Sequence, residues 1–456
     1  MKDVRLSRRF NHLCSNIALS QSAIINRCYS KLKDKMGAYR FLNNTHVDQS
    51  DIISHLRDAC LDNLSGKSHV LCIQDSSEIN YDGHSARMKK KGSHPGVVSH
   101  HQCGTFLHPL LVVDAASHSP LGFSYVKLWN RADDAPDRIT RNYRNQPIEE
   151  KESYRWLESG LVGCDALPAD ITKTIIGDRE ADIFELFRRV PSEKVHLLIR
   201  STHERSSKTD EMDSFIRLNE VMSLSPVRAE YVLPVLHGSG RKKRHARMTL
   251  RFEKVILQAP CNGPYSGEEP VSMYCIHVKE KEESVPEDEH PIEWRLLTTH
   301  TVTTVEEAHQ CLEWYRCRWF IEELFRILKR KGFMIEDAQL ENIQAIQKLI
   351  LVSLQAALKV MMLKSSFDNG DESLPASYIF KLKEVELLHI VNKKYEGATK
   401  LQQNPYKSNT MPWAAWIIAR LGAWSGYKTQ SIPGYITIKE GLEKFYAQLE
   451  IYELLS

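Results

Sequence analysis

Two short apolar runs, each ending on an aspartate, constrain this chain more than any other feature. His69-Val70-Leu71-Cys72-Ile73 follows Gly66 and stops at Gln74-Asp75-Ser76-Ser77, and the run from Ile171 to Gly177 stops at Asp178. Runs of this length, rich in β-branched residues and bounded by turn formers, read as buried strands. Each strand thus delivers a carboxylate at its end, although 103 residues separate Asp75 from Asp178.

The elements between and after these runs narrow the fold. Phe106 to Asp114 and Leu121 to Trp129 read as a hairpin around Ser117-His118-Ser119-Pro120. Glu149 to Gly163 and Ala181 to Arg189 have helical periodicity, and Val195 to Arg200 is a further strand. Strand, strand, strand, helix, strand, helix, strand is the pattern of an α/β, ribonuclease H-like mixed sheet. From Ser201 to about Glu293 the chain turns β-rich, with alternation over Met248 to Leu257 and an acidic turn over Glu280 to Glu289, which predicts a β insertion at about 201–289. Trp294 to Thr299 resumes as a strand. Val305 to Lys331, free of Pro and Gly, predicts one long helix.

Helical regions flank this core. Leu6, Phe10, Leu13 and Ile17 recur at helical spacing among Arg5, Arg8 and Arg9, and Ile343–Leu363, Trp413–Leu421 and Ile436–Leu455 read as apolar helices. The expected division is a helical region over 1–66, a core over 67–335 and a C-terminal helical region over 336–456.

Net charge is only +3, yet it is unevenly spread. Residues 1–70 hold eleven Lys or Arg against six Asp, 241–251 hold six basic residues and no acid, and 315–332 hold six basic residues against two acids. Positive charge gathers where phosphates could be met. No run of about 18 uncharged apolar residues or signal-peptide pattern is present, so a cytoplasmic protein with no membrane partner is expected. The ten cysteines show no C-x-x-C pair, and reduced thiols are expected. His94, His100, His101 and His108 cluster in sequence, but imidazole suits zinc, and no cysteine spacing accompanies them.

Converging carboxylates suit a hard cation such as Mg²⁺, which prefers oxygen ligands and can serve phosphodiester chemistry. In the predicted helix, Tyr315, Arg318, Glu322 and Lys329 are spaced so that they fall within an arc of about 60° at 100° per residue. One stripe would then present an acid flanked by cations. Glu323 points about 100° away from it.

Tyr315-x2-Arg318-x3-Glu322-x6-Lys329, Gly177-Asp178-Arg179-Glu180-Ala181-Asp182-Ile183 and Asp75-Ser76-Ser77 together resemble the motifs of bacterial DDE transposases of the insertion-sequence-four, or Tn-five-like, family. Weaker similarity runs from Gly37-Ala38-Tyr39-Arg40-Phe41 through Glu150-Lys151-Glu152-Ser153 and Trp294-Arg295-Leu296-Leu297-Thr298 to Gly434-Tyr435-Ile436-Thr437-Ile438. The resemblance implies Asp75, Asp178 and Glu322 as catalytic metal ligands for two Mg²⁺ ions, with Mn²⁺ as a substitute. It implies that Tyr315, Arg318, Lys329 and Arg200 hold DNA phosphates and that Trp294 and Trp319 stack on or displace a flipped base. Arg241, Lys242, Lys243 and Arg244 would add phosphate contacts without sequence readout.

The implied partners are transposon-end DNA, target DNA and a second copy in a homodimer built on the C-terminal helices. The implied activity is cut-and-paste transposition through a DNA hairpin, in the cytoplasm at the nucleoid. The first acid lies closer to the N-terminus than in the Tn-five enzyme, which makes a shortened regulatory form one alternative. A non-transposing metal-dependent nuclease is another.

Overall fold

The computed structural model describes residues 3–90, 96–99, 102–131, 146–235, 241–329, 332–372, 374–399, 402–427, 430 and 432–455. Helices α1 (Val4–Ser20), α2 (Ile25–Cys28), α3 (Leu32–Leu42) and α4 (Gln49–Asp62) precede strands β1 (His69–Gln74) and β2 (Ser77–Asn80). After α5 (Ser85–Lys90) come β3 (Gly104–Asp114), β4 (Pro120–Trp129), α6 (Tyr154–Asp165), β5 (Thr172–Gly177), α7 (Phe184–Arg189) and β6 (Val195–Arg200). The β-rich stretch holds β7 (Ser206–Lys208), β8 (Ile216–Arg217), α8 (Leu218–Leu224), β9 (Ala229–Val235), β10 (Arg244–Leu257) and β11 (Val271–Glu280). It is followed by β12 (Glu293–Thr298), α9 (Val305–Arg316), α10 (Trp319–Leu328), α11 (Ile343–Asn369), α12 (Leu382–Tyr395), α13 (Met411–Leu421) and α14 (Tyr435–Leu455).

Contacts group these elements into two units, each built from separated stretches of sequence. One comprises Lys67–Asp75 and Pro136–Arg318. Its sheet runs β1, β5, β6, β12, β11, β10, with β9 and β7 both paired to β10. The first three strands are parallel and β12, β11 and β10 are antiparallel, so the sheet is mixed. The parallel strands carry apolar stretches because both faces are covered there, as the burial of Val70 to Ile73, Ile175, Ile176 and Leu197 to Ile199 shows. Since β11 pairs directly with β12, the β-rich stretch extends this sheet.

The other unit comprises Met1–Gly66, Ser76–Ala135 and Trp319–Ser456. Its strands β2, β3 and β4 form an antiparallel ladder, with Ser77 opposite Leu107 and Pro109 opposite Val126. Its core is α11, which packs against α1, α4, α10, α13, α14 and β4. The N-cap Asn342 accepts the Gln344 N–H at 2.8 Å, and α11 ends at Gly370, whose φ of 62° is a left-handed conformation that favours glycine.

The single helix expected over 305–331 is in fact two. α9 opens with a capping box in which Thr304 Oγ1 accepts the Glu307 N–H at 3.2 Å while Glu307 receives the Thr304 N–H at 3.1 Å. It closes at Arg316, where Cys317 and Arg318 donate their N–H groups three residues back, to Trp314 and Tyr315, each at 3.0 Å. That tightening interrupts the four-residue ladder without any Pro or Gly. The stripe arithmetic for one straight helix therefore does not carry from Tyr315 to Lys329. Strand β2 and helix α5 also lie outside what periodicity indicated.

Among the described residues one helix, α11, is long and apolar enough to cross a membrane if two lysines are tolerated, and 83% of its apolar window is buried within the protein.

Candidate active site

Asp75 and Asp178 become neighbours through strand register. β1 and β5 pair in parallel up to Ile73 opposite Ile176, and two residues farther along each strand the chain reaches its aspartate. Paired parallel strands lie about 4.8 Å apart, so the two carboxylates issue side by side from the carboxyl edge of the sheet. β6 continues the row. Gly177 pairs with Ile199, which sets Arg200 beside Asp178, and Arg200 pairs in turn with Leu296 on β12. Alternation places Asp75, Asp178, Arg200, Leu296 and Trp294 on one face of the sheet. Trp294 is half-buried, and the neighbouring Glu293 carbonyl accepts from Arg200 Nη2 at 3.4 Å.

The end of α9 supplies further groups on this side. The Arg318 guanidinium lies 3.6 Å from the Asp75 carboxylate, both side chains being 18% exposed, and stands 6.0 Å from the centre of the Tyr315 ring. Burial raises the Tyr315 pKa, an effect that the charges of Arg318 and Arg200 counteract. Burial likewise lowers the Arg200 pKa, with Tyr315 opposing it and the like charges of Arg179 and Arg318 adding to it. Tyr315, Arg318, Arg200, Asp178 and Asp75 thus form one electrostatic cluster within a single unit.

Arg155, which no sequence motif singled out, joins this cluster. Its side chain is 12% exposed, with Nη1 donating to the Glu152 carbonyl at 2.9 Å and Nη2 to the Glu180 carboxylate at 2.6 Å. Burial lowers its pKa, and the charges of Glu180, Glu152, Asp178 and Asp75 oppose that shift. Its position one residue past the Tyr154 start of α6, on the face toward two strand ends, is a tertiary fact that spacing could not reveal.

A buried clamp holds the loops behind the row. The fully buried side chain of Asp182 accepts from Arg205 Nε at 2.9 Å and Nη2 at 2.6 Å. The same carboxylate accepts the backbone N–H groups of Thr202 at 2.8 Å and His203 at 2.9 Å, immediately beyond Arg200. Asp178 itself caps the next turn, its Oδ1 accepting the Glu180 N–H at 2.9 Å. The loop after β5 and the loop after β6 are thereby tied together.

At the other end of the same sheet face, His69 Nε2 and His300 Nε2 each lie 2.7 Å from Thr174 Oγ1. His196 stacks on His300 at 4.0 Å between ring centres, and the Trp314 ring of α9 closes against His69 and His300. Burial first, then the proximity of His196 and His69, pushes the His300 pKa down to about 3. α9 is anchored to the sheet through this aromatic cluster.

The remaining expected residues fall as follows. Glu322 sits half-buried in the first turn of α10 and belongs to the other unit, as do Trp319, 58% exposed, and Lys329. Burial lowers the Lys329 pKa while Glu336 and Glu78 oppose the shift. Glu323 is buried and paired with Arg326 at 3.1 Å. Of the basic quartet, Arg244 is 11% exposed and bound to Glu280 at 3.0 Å and Glu289 at 2.5 Å, Arg241 lies 3.8 Å from Glu289, and Lys242 lies 2.7 Å from Asp288. Lys243 is exposed. The expected acidic turn is therefore the quartet's partner. His108 is buried, with Nδ1 2.9 Å from Ser76 Oγ, whereas His94, His100 and His101 lie outside the described residues. None of the ten cysteines is in a disulfide; nine are buried and Cys261 is exposed.

Two carboxylates on adjacent strand ends form a hard-oxygen donor set suited to a divalent cation. Among the described residues, however, no group of three or more His, Cys, Asp and Glu side chains stands close enough to hold a metal.

Two family models match the sequence. Residues 1–47 match a transposase DNA-binding domain, and residues 163–358 match a transposase DDE domain, a span that contains Asp178 and Glu322 and begins after Asp75. Domains of the second kind are nucleases and strand transferases that generally use divalent metals. The chain thus joins a transposase DNA-binding domain to a transposase DDE domain, the constitution of a DDE transposase.

Proposed function

We propose that this chain cuts and joins DNA ends in cut-and-paste transposition of the insertion-sequence-four type, with Asp75, Asp178 and Glu322 as ligands for Mg²⁺. One observation carries the reading: Asp75, Asp178 and Arg200 form a row across three neighbouring strands, and Arg318 reaches Asp75 from two residues past the end of α9. A ribonuclease H-like core with a β insertion is the fold reading that accompanies it.

When bound, two divalent ions would polarise the scissile phosphate and lower the pKa of an attacking water. The chain's own residues do the rest. Arg200 and Arg318 offer planar donors to non-bridging phosphate oxygens, a geometry to which guanidinium groups are suited. Tyr315, whose ring lies 6.0 Å from the Arg318 guanidinium, stands beside them. Trp294, on the same face, offers a ring for a base displaced at the cut, and Trp319 offers a second, exposed ring. Lys329 and Lys243 add phosphate contacts. Transposon-end and target DNA are the substrates, a homodimer pairs two ends, and a hairpin intermediate links first and second strand cleavage.

The test uses labelled DNA bearing the element's terminal repeats, incubated with Mg²⁺ or Mn²⁺. Nicking, hairpin formation and joined products are expected from the parent chain. Asp75→Asn, Asp178→Asn and Glu322→Gln should each lower cleavage by at least about 10³-fold while preserving the circular dichroism spectrum and end binding. Cleavage without joining would favour a non-transposing nuclease. End binding without cleavage would favour a regulatory protein, and unchanged cleavage by Glu322→Gln would remove that residue from the ligand set.

A further inference from the structure

The start of α6 is locked against both aspartate-bearing strands. Gln74, one residue before Asp75, donates from Nε2 to the Trp156 carbonyl at 3.3 Å. Gly177, one residue before Asp178, has no side chain, and a Cβ there would stand 3.4 Å from the Trp156 ring. Residue 156 therefore touches the residues that precede both carboxylates, and Arg155 lies beside it in the first turn of α6. The Arg155 guanidinium is fixed from two sides, by the Glu152 carbonyl and by Glu180, and Glu180 itself belongs to the turn that Asp178 caps. The buried cation feels the charges of Asp178 and Asp75 as well as those of its direct neighbours.

We propose that Arg155 is a positioning residue of the metal site: its fixed positive charge balances the paired carboxylates of Asp75 and Asp178 before metal arrives and opposes the entering divalent cation. This rests on the reading of Asp75 and Asp178 as metal ligands. Without a counter-charge, two carboxylates on adjacent strand ends repel each other; with one, the protein keeps them together at the cost of metal affinity. Glu180 holds the guanidinium at the site's margin, so that it balances the acids without displacing the ion. Arg318, at 3.6 Å from Asp75, can turn toward a phosphate when DNA enters. Arg155 is enclosed and stays.

The inference predicts a sign that loss of a merely structural contact would not produce. Mn²⁺ binding to the full-length chain, measured by calorimetry and by the paramagnetic resonance signal of free Mn²⁺, should tighten about fivefold in Arg155→Gln. That is the size expected for removing one unit charge facing a doubly charged ion in a solvent-accessible site. Arg155→Lys, which restores the charge, should return the affinity to the parent value. The metal-free melting temperature should fall in Arg155→Gln, and added Mn²⁺ should recover more of it than in the parent.

Equal or weaker Mn²⁺ binding by a folded Arg155→Gln, or tightening that Arg155→Lys reproduces, overturns the inference. Should the glutamine variant fail to fold, Arg155→Met keeps the aliphatic stem and carries the same expectation; unfolding of both assigns Arg155 to folding alone and likewise overturns it. Asp75→Asn and Asp178→Asn separate the two readings. A parent chain that binds Mn²⁺ through those aspartates, with affinity indifferent to Arg155, refutes only the role of Arg155. Binding indifferent to both aspartates refutes the metal-site reading itself.

Discussion

Asp182→Ala tests whether the clamp behind the acidic row is what holds it. The wild-type carboxylate is fully buried and accepts two guanidinium and two backbone N–H bonds. Its removal leaves Arg205, 11% exposed, as an uncompensated cation and orphans the Thr202 and His203 donors. Breaking a buried ion pair by deleting one partner costs about 3–5 kcal/mol, and the orphaned N–H groups, which belong to the exposed residues Thr202 and His203 and can turn to water, add less than the roughly 1–3 kcal/mol of a buried donor. These contributions overlap because the loop relaxes and water enters, so a loss of about 4 kcal/mol is expected. Hydrogen exchange is the suitable assay, since two units need not unfold together. Protection at the amides of residues 197–203 should fall by about three decades, while α11 amides, in the other unit, remain protected. Cleavage should fall in parallel, because Asp178 and Arg200 project from the two loops the clamp joins. Protection within tenfold of wild type would refute the argument, and so would equal loosening throughout the chain.

The histidine cluster makes stability depend on pH. With its pKa lowered to about 3, His300 is neutral in the folded chain and charges on unfolding below about 6.5, so stability should rise with pH between about 3 and 6.5. Urea midpoints at pH 6.5 and pH 5 should show a His300-dependent difference of up to about 2 kcal/mol, which His300→Gln should remove; an unchanged slope would refute the assignment. Gly177→Ala should destabilise by about 1–3 kcal/mol, because a Cβ there meets Ala181 at 2.5 Å and Ile199 at 3.2 Å, and a melting temperature equal to wild type would show that the strand end can shift. Lys243→Ala should lower the slope of log affinity for DNA against log salt by about one without altering stability. Arg244→Ala, which strands the buried Glu280, should instead destabilise by about 3 kcal/mol; exchanged outcomes would reverse the two roles.

Residues whose structure is set locally were legible in the sequence. Val195–Arg200 was readable to the residue, and the strands ending at Asp75 and Asp178 were readable as buried because apolar β-branched runs have few other uses. That Arg200 stands beside Asp178 was not, since register between parallel strands is fixed by packing across the sheet. The break after Arg316 escaped notice because no Pro or Gly marks it; a shift from four-residue to three-residue hydrogen bonds does the work. The basic quartet looked free for phosphate because its partners lie far along the chain, Glu280, Asp288 and Glu289 reaching it only through the pairing of β10 with β11. Arg155 was invisible for the same reason: except for Glu152, the carboxylates around it are 23 residues or more away along the chain.

Helix α11 imposes a timetable on biosynthesis. Its apolar window would suit a lipid bilayer by length and composition, yet its shield is assembled from both ends of the chain, α1 and α4 before it and α13 and α14 after it. While translation proceeds past residue 369, the nascent helix still lacks α13 and α14 and displays a surface that chaperones or insertion machinery could capture. Only when residues 411–455 leave the ribosome can the last flank close, so truncation near the C-terminus should be punished by aggregation well before any chemistry is lost.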